Sequence, residues 1–472
     1  MSVKSTYNFV PAPKESEVFK PDWGHQVSHD IPFKDGESGE ITLKITAKTP
    51  IFIRNGHTKD VTENEFSHRI LPNGDKEYFI PASSLKGMIR NVLEIMSYSR
   101  LKAQNDLFGF RDMANKKYKR EVATSRSIKA GWLVKNNDQW EIQECSWGKM
   151  AIRDIETKFS TDEINISFRN KSAQEKYNLV QNRNHKFQRA GDVNVQINNR
   201  DVSLGKRYKF ANHGEFNGSL VFFGEINRKQ HEYVFSNNTT APAFSISSDL
   251  MSRFKEIESK LSSSLWQFFV DNNYSRIPVF FVASETRKVK HFGFSKLYRM
   301  TNTKYLNELE PLKSYKKRNG PYRMDLSEVM FGTVTDNPKQ TLKGRIIVAN
   351  ARVKEIGEGG IKPIAVLLSS PKPSYYPFYL KDGLTYLEEA VLNGFKKYPV
   401  HIEQKDSLLN PDNIKSQSTI KPLPNKTTFE CKIRFHNLRK VEIGALLSAV
   451  TLHNQEDYFH AIGGGKPLVR YS

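Results

Sequence analysis

The chain has 472 residues, which at ~150 residues per domain is enough for two or three domains, or for one core with large insertions. It carries 72 Lys and Arg against 51 Asp and Glu, a net charge of +21 at neutral pH. This excess excludes an acidic solubilising protein and favours a polyanionic partner, nucleic acid before membrane. The two cysteines cannot form a four-cysteine zinc site or a disulfide framework, and no apolar stretch is long enough to span a bilayer. We therefore expect a cytoplasmic protein that does not use a membrane.

The first predicted elements are a strand and a helix, separated by a polar stretch. Residues 41–53 begin with an alternation of apolar and polar side chains, which is the period of a half-buried strand. Residues 54–77 are polar and contain two Asn-Gly turn signals, so we expect a loop there. After Pro81, apolar side chains recur at helical spacing, and Ser83 or Ser84 can cap the predicted helix. Those apolar residues are Leu85, Met88, Ile89, Val92 and Met96.

The remainder of the chain repeats this mixture of short strands and few helices. Residues 344–353 and 429–438 look like strands, and residues 441–450 predict a less regular helix. Between them, residues 410–425 contain three prolines and resemble a loop or linker. The pattern indicates an α+β fold without a periodic repeat.

A basic stretch interleaved with aromatic residues predicts contact with single-stranded nucleic acid. Residues 285–323 contain 11 basic and 3 acidic side chains. Basic groups neutralise phosphates while aromatic rings stack on unpaired bases. The predicted RNA-binding cations are Arg287, Lys288, Lys290 and Arg299, and the rings proposed for stacking include Tyr298 and Tyr305. The alternative is a solvated basic face with ordinary core aromatics.

Two further segments could bind phosphate. A helix N-terminus offers free backbone N–H groups and a positive dipole end, and the predicted helix adds Ser83, Ser84, Lys86 and Arg90. Near the end of the chain, three glycines and a lysine could form a backbone nest; these are Gly463, Gly464, Gly465 and Lys466. The alternatives are a capped core helix and a tight turn.

Acidic side chains cluster in the polar stretch after the first strand. They are Asp60, Glu63, Glu65, Asp75 and Glu77. A carboxylate in such a loop could hold a divalent metal or orient a 2′-hydroxyl beside bound RNA. Solvated surface acids are the alternative.

These parts, in this order, resemble the repeat-associated mysterious proteins (RAMPs) of CRISPR systems, and specifically the backbone-type subunits of type III effector complexes. Residues 80–87, IPASSLKG, are similar to the family's I-P-G-S-S-L-K-G segment. Residues 330–332, MFG, precede a GRIIV strand at 344–348, and residues 460–466 form a glycine-rich close. An LFG element also occurs at 107–109.

The resemblance implies a ferredoxin-like (RRM-like) βαββαβ core. Residues 1–40 would be an N-terminal extension, 41–110 and 326–472 the two parts of the core, and 111–325 a basic insertion that includes the thumb region. The chain would grip CRISPR RNA as an antiviral defence protein, with target RNA and other effector subunits as partners. Ser83, Ser84, Lys86 and Arg90 would contact guide phosphates.

The resemblance also implies that a carboxylate in the loop could cut paired target RNA with Mg²⁺. Asp60 is the first choice for the metal-binding and catalytic residue, and Glu65 is the second. Two alternatives stay open. One is a non-catalytic structural or capping subunit. The other is a metal-independent endoribonuclease that processes guide RNA through a histidine such as His57 or His68.

Overall fold

The computed structural model describes residues 7–56, 63–123, 128–160, 165–181, 192–198, 207–210, 216–224, 229–261, 264–317, 320–335, 337–367, 376–381, 385–386, 389–398 and 417–464. Strands and helices are mixed along the chain, which is an α+β fold. The strands are β1 (Asn8–Val10), β2 (Glu37–Thr46), β3 (Glu63–Glu65), β4 (His68–Ile70), β5 (Lys76–Ile80), β6 (Gly109–Phe110), β7 (Lys129–Asn136), β8 (Gln139–Ala151), β9 (Asp192–Asn198), β10 (Arg207–Phe210), β11 (Phe216–Val221), β12 (His231–Ser245), β13 (Ile277–Ala283), β14 (Val289–Gly293), β15 (Met300–Thr301), β16 (Ile346–Val348), β17 (Ala351–Glu355), β18 (Ile364–Leu367), β19 (Phe395–Lys397), β20 (Gln417–Lys421) and β21 (Thr428–Leu438).

The helices are mostly short. They are α1 (Ala82–Met96), α2 (Lys116–Tyr118), α3 (Ile152–Phe159), α4 (Ala173–Gln181), α5 (Ser248–Ser259), α6 (Leu265–Asp271), α7 (Leu312–Lys316), α8 (Leu326–Phe331), α9 (Tyr376–Tyr379) and α10 (Lys440–Thr451). Among the described residues, no helix is both long enough and apolar enough to cross a membrane.

The chain forms two compact units. Unit 1 comprises residues 1–105 and 306–472, and unit 2 comprises residues 106–305. Unit 1 is therefore discontinuous in sequence, with unit 2 inserted between its two parts. The insertion that the sequence predicts, 111–325, overlaps unit 2 but has different ends.

The main sheet of unit 1 is antiparallel and is built around β21. Strand β2 pairs with one edge of β21, while β16 and β17 pair with its other edge. Strand β5 adds to β17, and β4 adds to β5. The alternation predicted for the first strand is present in β2, although that strand starts at Glu37 and ends at Thr46. Its apolar side chains pack against the core.

Helices α1 and α10 place their apolar side chains in the same core as this sheet. Leu85, Ile89 and Leu93 of α1 are buried with Leu446 and Ala449 of α10. The predicted bounds of both helices agree with the structure to within two residues. The apolar spacing identified the buried face of α1, whereas in α10 the predicted apolar positions Val441 and Leu447 are exposed.

Two loop predictions in unit 1 are wrong. The polar stretch 54–77 contains β3 and β4 and the start of β5, which are short and rich in charged residues. Its second Asn-Gly signal, at residues 73–74, forms the hairpin turn between β4 and β5. Part of the proline-containing segment 410–425 is strand β20, which pairs with β18 and β3. Strands β3 and β20 form through partners distant in sequence, which local composition does not reveal, whereas β4 and β5 form a local hairpin from mostly polar residues.

Unit 2 contains an eight-stranded sheet in the order β10-β9-β11-β12-β8-β7-β13-β14. Strand β10, at the edge of this order, also pairs with β8. Helices α5 and α6 bury Phe254 and Phe269 within this unit. Strand β13 is buried along almost its whole length, as its continuous apolar run predicts.

A buried ion pair joins four segments of unit 1. The guanidinium of Arg345 pairs with the carboxylate of Glu442, and both side chains are fully buried. Arg345 also donates through Nε to the carbonyl oxygen of Val329 at 3.2 Å and through Nη1 to that of Asn437. Glu442 Oε2 in turn accepts from the backbone N–H of Arg439 at 2.9 Å, at the start of α10. These contacts connect α8, β16, β21 and α10.

We expect Arg345→Met to lower the free energy of unfolding by about 3–5 kcal/mol, because it leaves the Glu442 carboxylate buried without a counter-charge. The double variant Arg345→Met/Glu442→Gln should recover part of this loss, since glutamine keeps an acceptor for Arg439 without the charge. Urea unfolding of the full chain checks both values. Equal losses in the single and double variants would contradict the explanation.

Unit 2 should lose stability in acid through His291. Burial is the main cause that lowers the pKa of His291 to about 4, and its Nδ1 lies 2.6 Å from the hydroxyl of Tyr298. The unfolded chain binds this proton at pH ~6.5, so the stabilising contribution is complete above that pH and is lost as the pH falls toward 4, by up to ~3 kcal/mol. Unfolding of wild type and His291→Gln between pH 7 and 4 measures it. The difference between the two proteins should shrink with falling pH; a constant difference would refute the assignment.

Candidate nucleic-acid interface

Two segments that the sequence singled out separately line one cavity of unit 1. The cavity has a volume of about 750 Å³ and is lined by Ser84 and Gly87 of α1 and by Gly463 and Gly464 near the end of the chain. We call it the α1 groove. The sequence predicted a phosphate site at each segment, and the structure brings the described part of both together. Gly465 and Lys466 lie outside the described residues.

The start of α1 is capped by backbone and by a distant side chain, not by its serines. Pro81 occupies the N-cap position, and its carbonyl oxygen accepts from the N–H of Ser84 at 3.0 Å. The N–H of Ala82 donates to Oδ1 of Asn350 at 2.8 Å. The prediction that Ser83 or Ser84 is the N-cap is therefore wrong. Ser83 is exposed on the first turn, and Ser84 lines the groove.

The glycine segment reaches the groove through a conformation that requires glycine at one position. Gly463 has a φ of +106°, and a Cβ there would lie 2.5 Å from the carbonyl oxygen of Phe52. The next residue, Gly464, donates its N–H to that same oxygen at 2.8 Å. At Gly464 a Cβ would meet only the Phe52 ring at 3.6 Å, which is an ordinary contact. The hydrogen bond thus fixes the segment against residues 52–53.

Three cations that the sequence reasoning did not select also line the groove. They are Arg54, Lys396 and Lys397. Lys397 donates to Oδ1 of Asn91 at 3.2 Å, and burial lowers its pKa. The ammonium of Lys396 lies 3.8 Å from the ring centre of Tyr7 and 5.0 Å from that of Tyr398. In the sequence, the Lys-Lys-Tyr run at 396–398 is only a weak indication of a nucleic-acid site. The structure shows that these residues line the groove beside α1.

A histidine of the groove is held neutral. Burial is the largest cause that lowers the pKa of His460, and its Nε2 lies 2.9 Å from the carbonyl oxygen of Val450. Because a carbonyl only accepts, the ring donates through Nε2–H. The positive charge of the groove at neutral pH therefore comes from its lysines and arginine.

Lys86 and Arg90 are not among the residues that line the groove. The ammonium of Lys86 donates to the carbonyl oxygen of Ile346 at 2.8 Å, and burial is the main cause that lowers its pKa. Arg90 pairs with Glu94 one turn further along α1, at 2.9 Å. Both cations thus make contacts within unit 1. Their predicted role in binding phosphates stays a prediction.

Of the two acidic residues predicted to be catalytic, the structure describes Glu65. Asp60 and His57 lie outside the described residues. Glu65 ends β3, and its carboxylate contacts the ammonium of Lys76 at 2.6 Å and Nε2 of His68 at 3.6 Å. The hydrogen bond from Lys76 is the main cause that lowers the pKa of Glu65. In the described part of the chain, no group of three His, Cys, Asp or Glu side chains has an arrangement that would hold a metal.

The basic stretch 285–323 divides its charged and aromatic residues between surface and core. Lys288, Lys290 and Arg299 are exposed, while Arg287 is half-buried with its guanidinium 4.1 Å from the Phe244 ring centre. Tyr298 is 3% exposed, so it cannot stack on a base in this conformation. The stacking prediction for Tyr298 is wrong, and the core alternative holds.

Tyr305 differs from Tyr298 because it is only partly buried. Its hydroxyl donates to Oε2 of Glu256 at 2.7 Å, and the guanidinium of Arg253 lies 5.5 Å from its ring centre. Phe292 and Phe294, from the same stretch, are buried in the core of unit 2. The aromatic pattern thus came largely from strand β14 and its surroundings.

We expect Gly463→Ala to release the C-terminal segment from the groove, because the new methyl group would clash with the Phe52 carbonyl and the backbone would be strained. Hydrogen exchange at the amide of Gly464 should rise by about tenfold, the equivalent of ~1.4 kcal/mol of local stability. Gly464→Ala is the matched control and should change exchange in residues 458–463 little. Equal behaviour of the two variants would show that Gly463 is not the constrained position.

Comparison with known protein families gives one finding. The model of the RAMP superfamily matches residues 44–266. The match starts within β2, includes α1, and continues through most of unit 2, so it extends into the region that the sequence analysis treated as an insertion. It does not reach residues 326–472, on which part of the resemblance was based. A comparison with curated proteins found no match. The family match supports a RAMP-type protein.

Proposed function

We propose that this protein is a CRISPR-RNA-binding backbone subunit of a type III effector complex, with a ferredoxin-like core, and that the α1 groove holds guide phosphates. The observation that carries the proposal is the meeting of the α1 N-terminus, three cations and the glycine segment in one groove. The superfamily match and the net charge of +21 support the same class of ligand.

The order of elements in unit 1 supports the ferredoxin-like core. Strand β2, helix α1, the β16–β17 strand pair, β21 and α10 follow one another as β-α-β-β-α, with unit 2 inserted after α1. Strand β21 lies between β2 and the β16–β17 pair. A ferredoxin-like βαββαβ domain has the same adjacency for its first three strands.

The chemistry of the groove fits a phosphate backbone. The dipole of α1 favours an anion at this end, although the N–H groups of Ala82 and Ser84 are already hydrogen-bonded within unit 1. Lys396 and Arg54 add positive charges, and the segment of Gly463 and Gly464 lines the groove while its backbone is held by Phe52. Tyr398 and Tyr458 also line the groove, and Tyr458 is 65% exposed, so a ring is available to an unpaired base.

Gly87 allows a test with very little structural disturbance. It lies in the third position after Ser84 on α1, lines the groove, and a Cβ built on it meets nothing within 4 Å. Gly87→Asp therefore introduces a negative charge into the groove without a clash. Gly87→Asn has nearly the same shape and no charge, and helix propensity differs little between the two residues.

We expect Gly87→Asp to weaken binding of a single-stranded RNA by about tenfold, a change of ~1.4 kcal/mol, because the carboxylate repels the phosphates. Gly87→Asn should bind like the wild type. Gly444→Asp is the control for net charge: Gly444 lies in the middle of α10, has open space around its Cβ position, and is not part of the groove lining. Fluorescence anisotropy with a labelled RNA measures all four proteins.

The salt dependence of binding provides a second measurement on the same groove. Lys396→Gln should lower the slope of log affinity against log salt by ~0.7 if this ammonium neutralises one phosphate of a single strand. Lys396→Arg should restore the slope, whereas Lys34→Gln, on an exposed residue before β2, should not change it. If Gly87→Asp and Gly444→Asp weaken binding equally and Lys396→Gln keeps the slope, the groove is not the RNA site.

A further inference from the structure

A second cavity lies within unit 2. It has a volume of about 580 Å³ and is lined by residues of β12 and α5, by Arg111, and by the segment that connects β14 to β15. Its volume falls within the ~300–1,000 Å³ that is usual for sites that bind small ligands. All of its lining residues belong to unit 2, so it is separate from the α1 groove in composition and in its elements.

One side of this cavity is aromatic. Phe223, Tyr233, Phe254 and Phe294 line it, and Tyr233 is the least buried of these four rings. The ring of Tyr233 is held edge-on by Phe280, with the ring centres 5.1 Å apart. A ring that is fixed in this way and still partly accessible offers a face for a flat ligand. The exposed Leu261 extends the apolar lining.

Positive charge surrounds the same cavity. Arg111, Lys229, Lys296 and Arg299 line it. Lys229 donates to the carboxylate of Glu232 at 2.6 Å, and Lys176 donates to the other oxygen of that carboxylate at 2.8 Å.

The charges of Lys176, Lys229 and Glu232 do not sum to zero. Glu232 is fully buried and Lys176 is 2% exposed, so two ammonium groups share one carboxylate in the interior beside the cavity. A buried excess of positive charge is costly unless an anion compensates it. Lys229 lines the cavity and can contact such an anion there, and the lining residues Arg111 and Arg299 are exposed.

A carboxyl group is placed among these cations and rings. Glu258 of α5 lines the cavity, and its described hydrogen bond is a long one of 3.4 Å from the hydroxyl of Ser264. Burial is the main cause that raises the pKa of Glu258 to about 7, and Arg299 acts in the opposite direction. The one long hydrogen bond leaves oxygen lone pairs of Glu258 for a ligand, and N–H donors from a ligand would favour its ionised form.

We propose that the cavity of unit 2 binds a guanine nucleotide. The base lies against Tyr233 and presents its two adjacent N–H donors to Glu258, and the phosphate lies among Arg111, Lys296 and Arg299. A carboxylate accepts two parallel hydrogen bonds, which matches the N1–H and amino group on the Watson–Crick edge of guanine. A sugar phosphate would leave the aromatic side unused, and adenine lacks the paired donors. The nucleotide comes either from solution or from a guanosine extruded from an RNA strand.

Titration calorimetry on the full chain tests the site with four probes: GMP, AMP, ribose 5-phosphate and guanosine. We expect GMP to bind about tenfold more tightly than each of the others, since each lacks either the N–H pair, the base or the phosphate. Failure of GMP to bind at ~1 mM, a free energy of only −4.1 kcal/mol, would overturn the proposal. Equal binding of GMP and ribose 5-phosphate would also overturn it.

Three variants separate the two ends of the ligand. Glu258→Gln should weaken GMP about tenfold and leave AMP unchanged, whereas Arg111→Gln should weaken both nucleotides alike. Arg153→Gln removes the same charge from an exposed residue of α3 that does not line the cavity and should change neither. If Glu258→Gln preserves the preference for GMP, the assignment of the base is overturned. Circular dichroism confirms that each variant is folded.

The source of the nucleotide is decided by competition. A short RNA ending in guanosine that displaces GMP identifies an RNA strand as the source, and an RNA that leaves GMP bound identifies the free nucleotide; both results retain the site. Gly87→Asp, which acts on unit 1, should leave GMP binding unchanged. Loss of RNA binding at the α1 groove and loss of GMP binding in unit 2 are therefore distinguishable.

Discussion

The buried pair of Arg345 and Glu442 is the interaction on which the arrangement of unit 1 depends. Removing two charges from water costs several kcal/mol per ion, and their attraction compensates only when the remaining donors and acceptors are also satisfied. Here Arg345 reaches the carbonyl oxygens of Val329 and Asn437 in addition to the carboxylate, and Glu442 accepts from Arg439. Any displacement of α8, β16, β21 or α10 would leave one of these groups without its partner. The pair therefore selects one arrangement of these four segments.

This constraint extends to α1 and so to the groove. The residue after Arg345, Ile346, begins β16, and its carbonyl oxygen accepts the ammonium of Lys86 from α1. Asn350, shortly after β16, caps the start of the same helix. The strand that the ion pair fixes thus holds α1 at two points, near its N-terminus. Lys86 positions the helix, whereas Lys396 and Arg54 line the groove.

The sequence predicted those elements of unit 1 in which the spacing of apolar side chains itself shows the period of a strand or a helix. Strand β2 and helix α1 each bury one face, and their periods of two and 3.6 residues are visible without partners. Strands β3 and β4 are three residues long and mostly polar, so no period exists to be detected. The cations of the groove were missed for a related reason: Lys397 contacts Asn91 of α1, although the two residues are 306 positions apart in the sequence. The stacking role assigned to Tyr298 failed because its ring is buried and its hydroxyl lies 2.6 Å from Nδ1 of His291. A basic, aromatic sequence does not show which of its rings face the core.

The net charge and the groove act on a polyanion over different distances, and this difference explains why a basic composition alone could not locate a site. The excess of 21 positive charges is spread over the chain and attracts RNA of any sequence, but salt screens it beyond ~8 Å at physiological ionic strength. Many of those charges are already paired, as Lys432 and Arg434 are with Glu40 on the open face of the main sheet. The position of a protein along an RNA strand is fixed only where hydrogen-bond donors, cations and an aromatic ring all contact the RNA. In unit 1 the α1 groove brings cations and tyrosine rings together, and Gly463 lies against the loop that follows β2. In the proposed function, this groove is where general attraction becomes a defined register of the RNA.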